Sequence, residues 1–175
     1  CRSAKRCDAA AEAIRKAVYP NDAAKAEEKV LPMICDLSSL KSVRDFVAEF
    51  AQKHAVLDIL VLNAGVMHPP FTLSAEKIEL TFAVNHVAHQ YLTLQLIESS
   101  MPANSRVVVI SSCSHFQTYD AGVRLDGSLN DEAAYEPVNA YGQSKLANIL
   151  MTQELAQRHG PGSAKPIFVN SLNPG

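Results

Sequence analysis

Apolar and polar positions change rhythm several times along the chain, and each change marks an element. Residues 4–18 are rich in alanine and carry Glu12, Arg15 and Lys16, which predicts a helix. Tyr19, Pro20, Asn21 and Asp22 break it. The run Lys29-Val-Leu-Pro-Met-Ile-Cys35 is short and apolar and predicts a strand over 29–35, which Pro32 confines to an edge or an irregular start. Asp36-Leu37-Ser38-Ser39 leads into a predicted helix over 40–54, where Phe46, Val47 and Phe50 recur at helical spacing. A strand over 57–62 follows and turns at Asn63-Ala64-Gly65. Ser74 is placed to cap a long helix running through Ser99, with Glu76 and Glu79 near its positive end. Residues 106–110, Arg-Val-Val-Val-Ile, form a β-branched strand. The polar stretch 113–137 is long for a loop in a compact domain, so it is read as functional or partly structured. A helix over 138–159 and a strand over 166–172 complete the pattern, which ends on Asn173-Pro174-Gly175.

Continuous apolar strands alternating with helices predict an α/β fold, a doubly wound parallel sheet covered on both faces. At 175 residues this is about one domain. Ligands in such sheets bind beyond the carboxyl ends of the strands. Those ends carry small and polar residues here: Asp36, Asn63-Ala64-Gly65, Ser111-Ser112 and Asn173-Pro174-Gly175.

Composition narrows the class without changing that picture. Hydrophobic residues make up 47% and charged residues 19%, which excludes a disordered, collagen-like or coiled-coil chain. Lys+Arg is 16 and Asp+Glu is 18, for a net charge of -2, so no electrostatic footprint for nucleic acid or an acidic membrane surface exists. No apolar run approaches the roughly 20 residues of a membrane helix, and Asp58 interrupts the best candidate. Cys1, Cys7, Cys35 and Cys113 form no C-x-x-C pair and read as reduced thiols, which points to an intracellular compartment. Whether the parent protein associates with a membrane is left open. The first residue is Cys and the last is Gly175, and both ends read as cut.

Tyr141-Gly-Gln-Ser-Lys145 is the strongest chemical signal. Tyr and Lys four apart share one helix face. An ammonium beside a phenol favours the phenolate, which lets the tyrosine exchange a proton with an alcohol or carbonyl near neutral pH. Taken alone, the pattern also fits an ordinary amphipathic helix with a surface lysine. Ser111-Ser112 ends the preceding strand, where a hydroxyl can donate to the same substrate oxygen. Asn85 lies inside a predicted helix, where asparagine competes with the backbone, so it faces solvent or marks a distortion or a buried polar site. His86 and His89 share a helix face, but no carboxylate or thiol completes a metal set, which favours packing or surface roles. His115 lies close to Ser112, yet no G-x-S-x-G elbow supports a hydrolase. Cys113 reads as a structural thiol.

Leu62-Asn-Ala-Gly65, Val84-Asn85-His86, Val109-Ile-Ser-Ser112, Tyr141-Gly-Gln-Ser-Lys145 and Asn173-Pro-Gly175 occur in an order that resembles the short-chain dehydrogenases/reductases. Asn63-Ala-Gly-Val-Met67, Val84-Asn-His-Val-Ala-His89 and Ser144-Lys-Leu-Ala-Asn-Ile-Leu150 are most similar to the retinol dehydrogenase and WW-domain-containing oxidoreductase group. The long stretch between Ser112 and Tyr141 suits that group too. The resemblance implies a Rossmann-like fold and a catalytic set of Asn85, Ser112, Tyr141 and Lys145. Tyr141 is then the general acid in reduction and base in oxidation. Lys145 holds the nicotinamide ribose, Ser112 rather than Ser111 orients the substrate oxygen, and Asn85 holds a water in a proton relay. Asn63, Ala64 and Gly65 are implied to pass close to the adenosine ribose, Asp36 and Leu37 to flank the adenine, and Pro174 and Gly175 to approach the nicotinamide. Arg2, with no carboxylate before Asp8, is placed to read a 2′-phosphate, which favours NADP(H) over NAD(H). The implied substrate is a small apolar carbonyl or alcohol compound, and a homo-oligomer is compatible with the resemblance.

The glycines, Gly65, Gly122, Gly127, Gly142, Gly160, Gly162 and Gly175, form no G-x-G-x-x-G and no T-G-x-x-x-G-x-G. The chain therefore reads as a fragment without the pyrophosphate loop, incomplete at both ends. The family's sheet order, 3-2-1-4-5-6-7, leaves the strand over 57–62 as an open edge and implies an unstable isolated chain that binds NADPH poorly. Two functions stay in view: an oxidoreductase, or a noncatalytic truncated or scaffold product on the same frame.

Overall fold

A computed structural model describes residues 2–175 and divides into two units, one ending at Asp36 and the other spanning Leu37–Gly175. Cys1 lies outside the described residues.

The first unit holds two helices, α1 (Ala4–Val18) and α2 (Ala23–Lys29). α1 forms where its alanines predict, with Arg15 and Lys16 in the last turn complementing the helix dipole. α2 was not expected. Asp22, read above only as part of a break, is its N-cap and accepts from the Lys25 amide at 3.0 Å. The strand over 29–35 does not form: α2 takes Lys29, and 30–35 is irregular. A strand exists through a ladder, and none of the described residues of this unit offers one, while Pro32 has no N–H to give. Side chains of α1 hold the segment instead, Arg15 donating to the Val30 carbonyl at 2.8 Å and the Cys7 thiol to the Met33 carbonyl at 3.3 Å.

The second unit is a three-stranded parallel sheet with its helices. β1 (Ile59–Leu62), β2 (Arg106–Ile110) and β3 (Phe168–Leu172) lie in that order, with Ile59 opposite Arg106 and Arg106 opposite Phe168. α3 (Leu40–Lys53) precedes β1, α5 (Ala88–Ser99) connects β1 to β2, and α6 (Pro137–His159) connects β2 to β3. α3 packs on α5, and α6 packs on β2 and β3. Val43 and Val47 of α3, Leu92 and Leu96 of α5 and Met151 and Leu155 of α6 are buried. Leu62, Val107, Val109 and Val169 are buried on one sheet face. The other face departs from the expected double cover, since Ile59, Val61, Phe168 and Leu172 are 54%, 55%, 43% and 42% exposed. The sheet and its helices form an incomplete Rossmann-like fold, with β1 as an edge strand among the described residues.

The long helix predicted from Ser74 is also corrected. Ser74 closes a tight turn, its amide donating to the Ile78 carbonyl at 2.7 Å, and Lys77 in that turn has φ 62°. The helix starts later, with α4 (Leu80–Phe82), because Glu79 caps it: its carboxylate accepts from the Thr81 and Phe82 amides at 2.7 and 2.8 Å. A buried anion at a helix N-terminus answers both the free amides and the dipole. Short 3-10 turns occupy Cys113–Phe116, Gly127–Asn130 and Glu132–Ala134, so the polar stretch before α6 is partly structured. No helix among the described residues is long and apolar enough to cross a membrane.

Candidate active site

Three parallel strands open their carboxyl ends on one edge of the sheet. A cleft of about 340 Å³ lies there, lined among others by Asn63, Gly65, Ser112, Tyr141, Lys145 and Pro174. The segments after β1, β2 and β3 thus meet one face of α6, as the strand-end residues suggest.

Asn85 is wholly buried, in a π-helical turn over Ala83–Val87 between α4 and α5. This is the distortion that its poor fit to a helix interior signals. Its Oδ1 accepts from the Val66 amide at 2.8 Å, and its Nδ2 donates to the Val66 carbonyl at 2.9 Å and to Ser144 Oγ at 3.1 Å. Ser144 in turn donates to the Tyr141 carbonyl at 2.7 Å. One amide therefore ties the segment after β1 to α6. A Cβ on Gly65 would stand 3.0 Å from Asn85 Oδ1, so a side chain here would press on the Asn85 amide.

The two serines after β2 divide their work. Ser111 is buried and donates to the Lys145 carbonyl at 2.9 Å, fastening strand to helix. Ser112 lies at the cleft, and its Oγ accepts from the Ser114 amide at 3.2 Å, which leaves its proton for another acceptor. Lys145 Nζ donates to the Ile110 carbonyl at 3.0 Å and stands 5.4 Å from the centre of the Tyr141 ring. Burial lowers the pKa of this ammonium from the ordinary lysine value.

Asn148 and Ser144 escaped the sequence reading as supports. Asn148 donates to the same Ile110 carbonyl at 3.4 Å and faces His86 Nδ1 at 3.2 Å. Its spacing from Lys145, three positions along one helix, was the available signal. His89 is buried, and its Nδ1 bonds the Asn85 carbonyl at 3.1 Å. A carbonyl only accepts, so Nδ1 carries the proton. Among the described residues no group of three His, Cys, Asp or Glu side chains is disposed to hold a metal. His115 spends Nδ1 on the Ser112 carbonyl at 2.7 Å rather than on a hydroxyl. The Cys113 thiol is free and exposed.

Desolvation pushes the His89 pKa down to about 4, against a smaller opposing effect of its bond to Asn85. As pH falls below about 6.5 the unfolded histidine takes up a proton that the folded one refuses. The contribution is complete above that pH and is lost as pH falls toward about 4, amounting to about 3 kcal/mol. Denaturant unfolding at pH 7 and pH 5 should show this loss, and His89→Gln should reduce it. An equal loss in the variant would assign the pH dependence elsewhere.

The other implied cofactor residues are spread over both units. Arg2 is exposed and precedes α1, and Asp36 is half-buried at the end of the first unit. Leu37 opens the second unit, Ala64 is exposed in the turn after β1, and Gly175 lines the cleft beside Pro174 with φ 111°.

Compared with known families, residues 3–124 match the model for the short chain dehydrogenases. The chain belongs to the short-chain dehydrogenase/reductase family. This short-chain dehydrogenase/reductase is 44% identical over 143 residues to retinol dehydrogenase 14 of Mus musculus, covering 80% of this chain and 40% of that protein. It is 41% identical over 146 residues to the chloroplastic short-chain dehydrogenase TIC 32 A of Brassica napus, covering 80% and 45%. Among solved structures it superimposes on a short chain dehydrogenase from Burkholderia cenocepacia in complex with NADP, with TM-score 0.69, 26% identity and coverage of 99% of this chain and 60% of that one. The chain spans about half the length of the curated relatives that it matches.

Proposed function

We propose that this protein moves a hydride between NADP(H) and a carbonyl or alcohol group of an apolar substrate, with Asn85, Ser112, Tyr141 and Lys145 as its working set. The observation that carries this reading is the meeting of the Ser112 hydroxyl, the Tyr141 phenol and the Lys145 ammonium in one cleft at the strand ends. The same residues suit a nicotinamide dinucleotide. Gly65 leaves the backbone bare beside the cleft, Lys145 offers a cation to ribose hydroxyls, and Asn63, Pro174 and Gly175 complete the lining. Ala64, Asp36, Leu37 and Arg2 are assigned to the adenosine end, with Arg2 as the reader of the 2′-phosphate.

When bound, the cofactor supplies the hydride in reduction and accepts it in oxidation. In reduction the Tyr141 hydroxyl gives its proton to the substrate oxygen, and in oxidation the phenolate takes it back. Ser112 donates a hydrogen bond to that same oxygen. Lys145 places positive charge beside the phenol. Both amide hydrogens of Asn85 are spent on Val66 and Ser144, so a water that it holds donates to one of its oxygens. Val66 and Met67 give the cleft an apolar side, and Met67 is 64% exposed, which supports an apolar substrate. The similarity to a protein named for retinol dehydrogenation supports the same class.

The test uses the full-length protein that contains this chain, with retinaldehyde and either NADPH or NADH. Turnover with a preference for NADPH is expected. Arg2→Asp should weaken NADPH far more than NADH, since it sets a like charge against the phosphate. An unchanged preference would remove Arg2 as the reader. Cofactor binding without turnover of retinaldehyde or simple aliphatic aldehydes would favour a scaffold on this fold.

A further inference from the structure

Three non-glycine residues among those described have positive φ: His68 at 54°, Lys77 at 62° and Asn104 at 70°. Lys77 and Asn104 belong to tight turns closed by backbone bonds, the Lys77 amide donating to the Ser74 carbonyl and the Ser105 amide, next to Asn104, to the Pro102 carbonyl. His68 is different, because it touches the candidate active site. Its ring lies 5.7 Å from that of Tyr141, with the planes at 81°.

Its backbone is held against preference. Left-handed φ disfavours most side chains, although histidine tolerates it better than bulky or branched residues. A following proline pushes residue 68 toward extended backbone, and here Pro69 and Pro70 follow. The turn is fixed from both sides. Asn85 grips Val66, two residues upstream, through both its amide and its carbonyl. The Tyr135 hydroxyl donates to the Pro69 carbonyl at 2.7 Å, and Phe71 packs edge-on to the Tyr135 ring at 5.4 Å. Strained backbone that its surroundings over-determine marks a place where position matters.

Tyr141 is the group in need of that position. Its backbone is set by α6, but among the described residues no hydrogen bond restrains its hydroxyl. Among the described residues the one aromatic ring and the one cation set against its own ring are those of His68 and Lys145. We infer that His68 is a positioning residue, its ring held by a strained, doubly anchored turn so that it fixes the orientation of the Tyr141 phenol. The inference rests on Tyr141 being the proton donor proposed above. It explains why a residue with a side chain occupies a backbone geometry that glycine would adopt freely: the ring is what the turn delivers.

The experiment separates rate from stability, in the full-length protein with NADPH and retinaldehyde. His68→Asn keeps a residue suited to left-handed backbone and removes the ring. Its melting temperature should equal or exceed that of the parent, while kcat falls by about tenfold and the KM for NADPH stays within about twofold. His68→Gly should behave alike. His68→Phe does the reverse, restoring most of kcat through its ring while melting lower because phenylalanine is strained there. Parent-like kcat in His68→Asn overturns the inference. So does a loss of kcat that only follows a lower melting temperature. Tyr141→Phe is the control for the reading beneath it: full turnover in that variant, or none in the parent, overturns the proposed function itself.

Discussion

Tyr141→Phe in the full-length protein is expected to leave cofactor binding intact and to cut turnover by about 10²–10⁴-fold, the usual worth of general acid–base catalysis. The substitution removes one oxygen and keeps the ring, so the contacts with His68 and Lys145 survive. The Tyr141 carbonyl still accepts from Ser144, because that bond is to backbone. Nothing that fastens α6 to the segment after β1 passes through the phenol. A loss of turnover with unchanged cofactor affinity therefore reports on the proton alone. Steady-state kinetics beside a cofactor titration makes the comparison, and activity within about twofold of the parent would sink the assignment.

Gly142→Ala is expected to be the most damaging of the glycine-to-alanine changes. In an ordinary helix interior the change would stabilise by about 1 kcal/mol. Here an added Cβ would stand 1.9 Å from the Gln117 carbonyl oxygen and 2.6 Å from that of Ser114. Both obstacles are backbone, so neither can swing aside as a flexible side chain would. The turn over Cys113–Phe116 sits directly on α6 at this position, and it carries the chain away from Ser112. Relief requires moving that turn, at a cost of about 3 kcal/mol or more. Gly127→Ala supplies the control, since nothing lies within 4 Å of its added Cβ. Chemical unfolding of both variants tests this, and a Gly142→Ala protein as stable as its parent would show that the close contact is absent in solution.

Much of the frame could be read from local chemistry. The alanine-rich run became α1 with the expected bounds, and α3, β2 and α6 agree to within a residue at each end. These segments carry their own signals: helix formers, capping residues or a β-branched core. The failures came where the partner decides. Residues 29–35 look like a strand by composition, but a strand requires a neighbouring backbone, and composition says nothing of that. Ser74 and Glu79 show a competition of another kind. Both can cap, and the serine is the commoner choice, but the carboxylate reaches two amides at once and is buried there. The candidate site was legible because its residue types are odd for their places. An asparagine inside a helix and paired serines at a strand end both break local rules. Asn148, another asparagine inside a helix, breaks the same rule without showing what it serves, and His68 breaks none that a sequence displays. Their importance lies in which carbonyl one bonds and which ring the other meets, and folding brings those together across long stretches of chain.

The grip of Asn85 on Val66 also bears on strand phase. Sliding a strand by one residue exchanges its two faces, and proteins usually forbid this by making one face apolar and the other polar. β1 lacks that safeguard, since Ile59, Leu60, Val61 and Leu62 are all aliphatic. Burying Ile59 and Val61 in place of Leu60 and Leu62 would forfeit little apolar area. Something outside the strand has to set which pair points inward. Asn85 takes both the amide and the carbonyl of Val66, four residues past the strand end, and a slip by one position would offer it a different residue. One side chain thus indexes the sheet as well as standing behind the cleft. An Asn85→Ala protein without activity would then be reporting a mis-threaded β1 as much as a broken proton path.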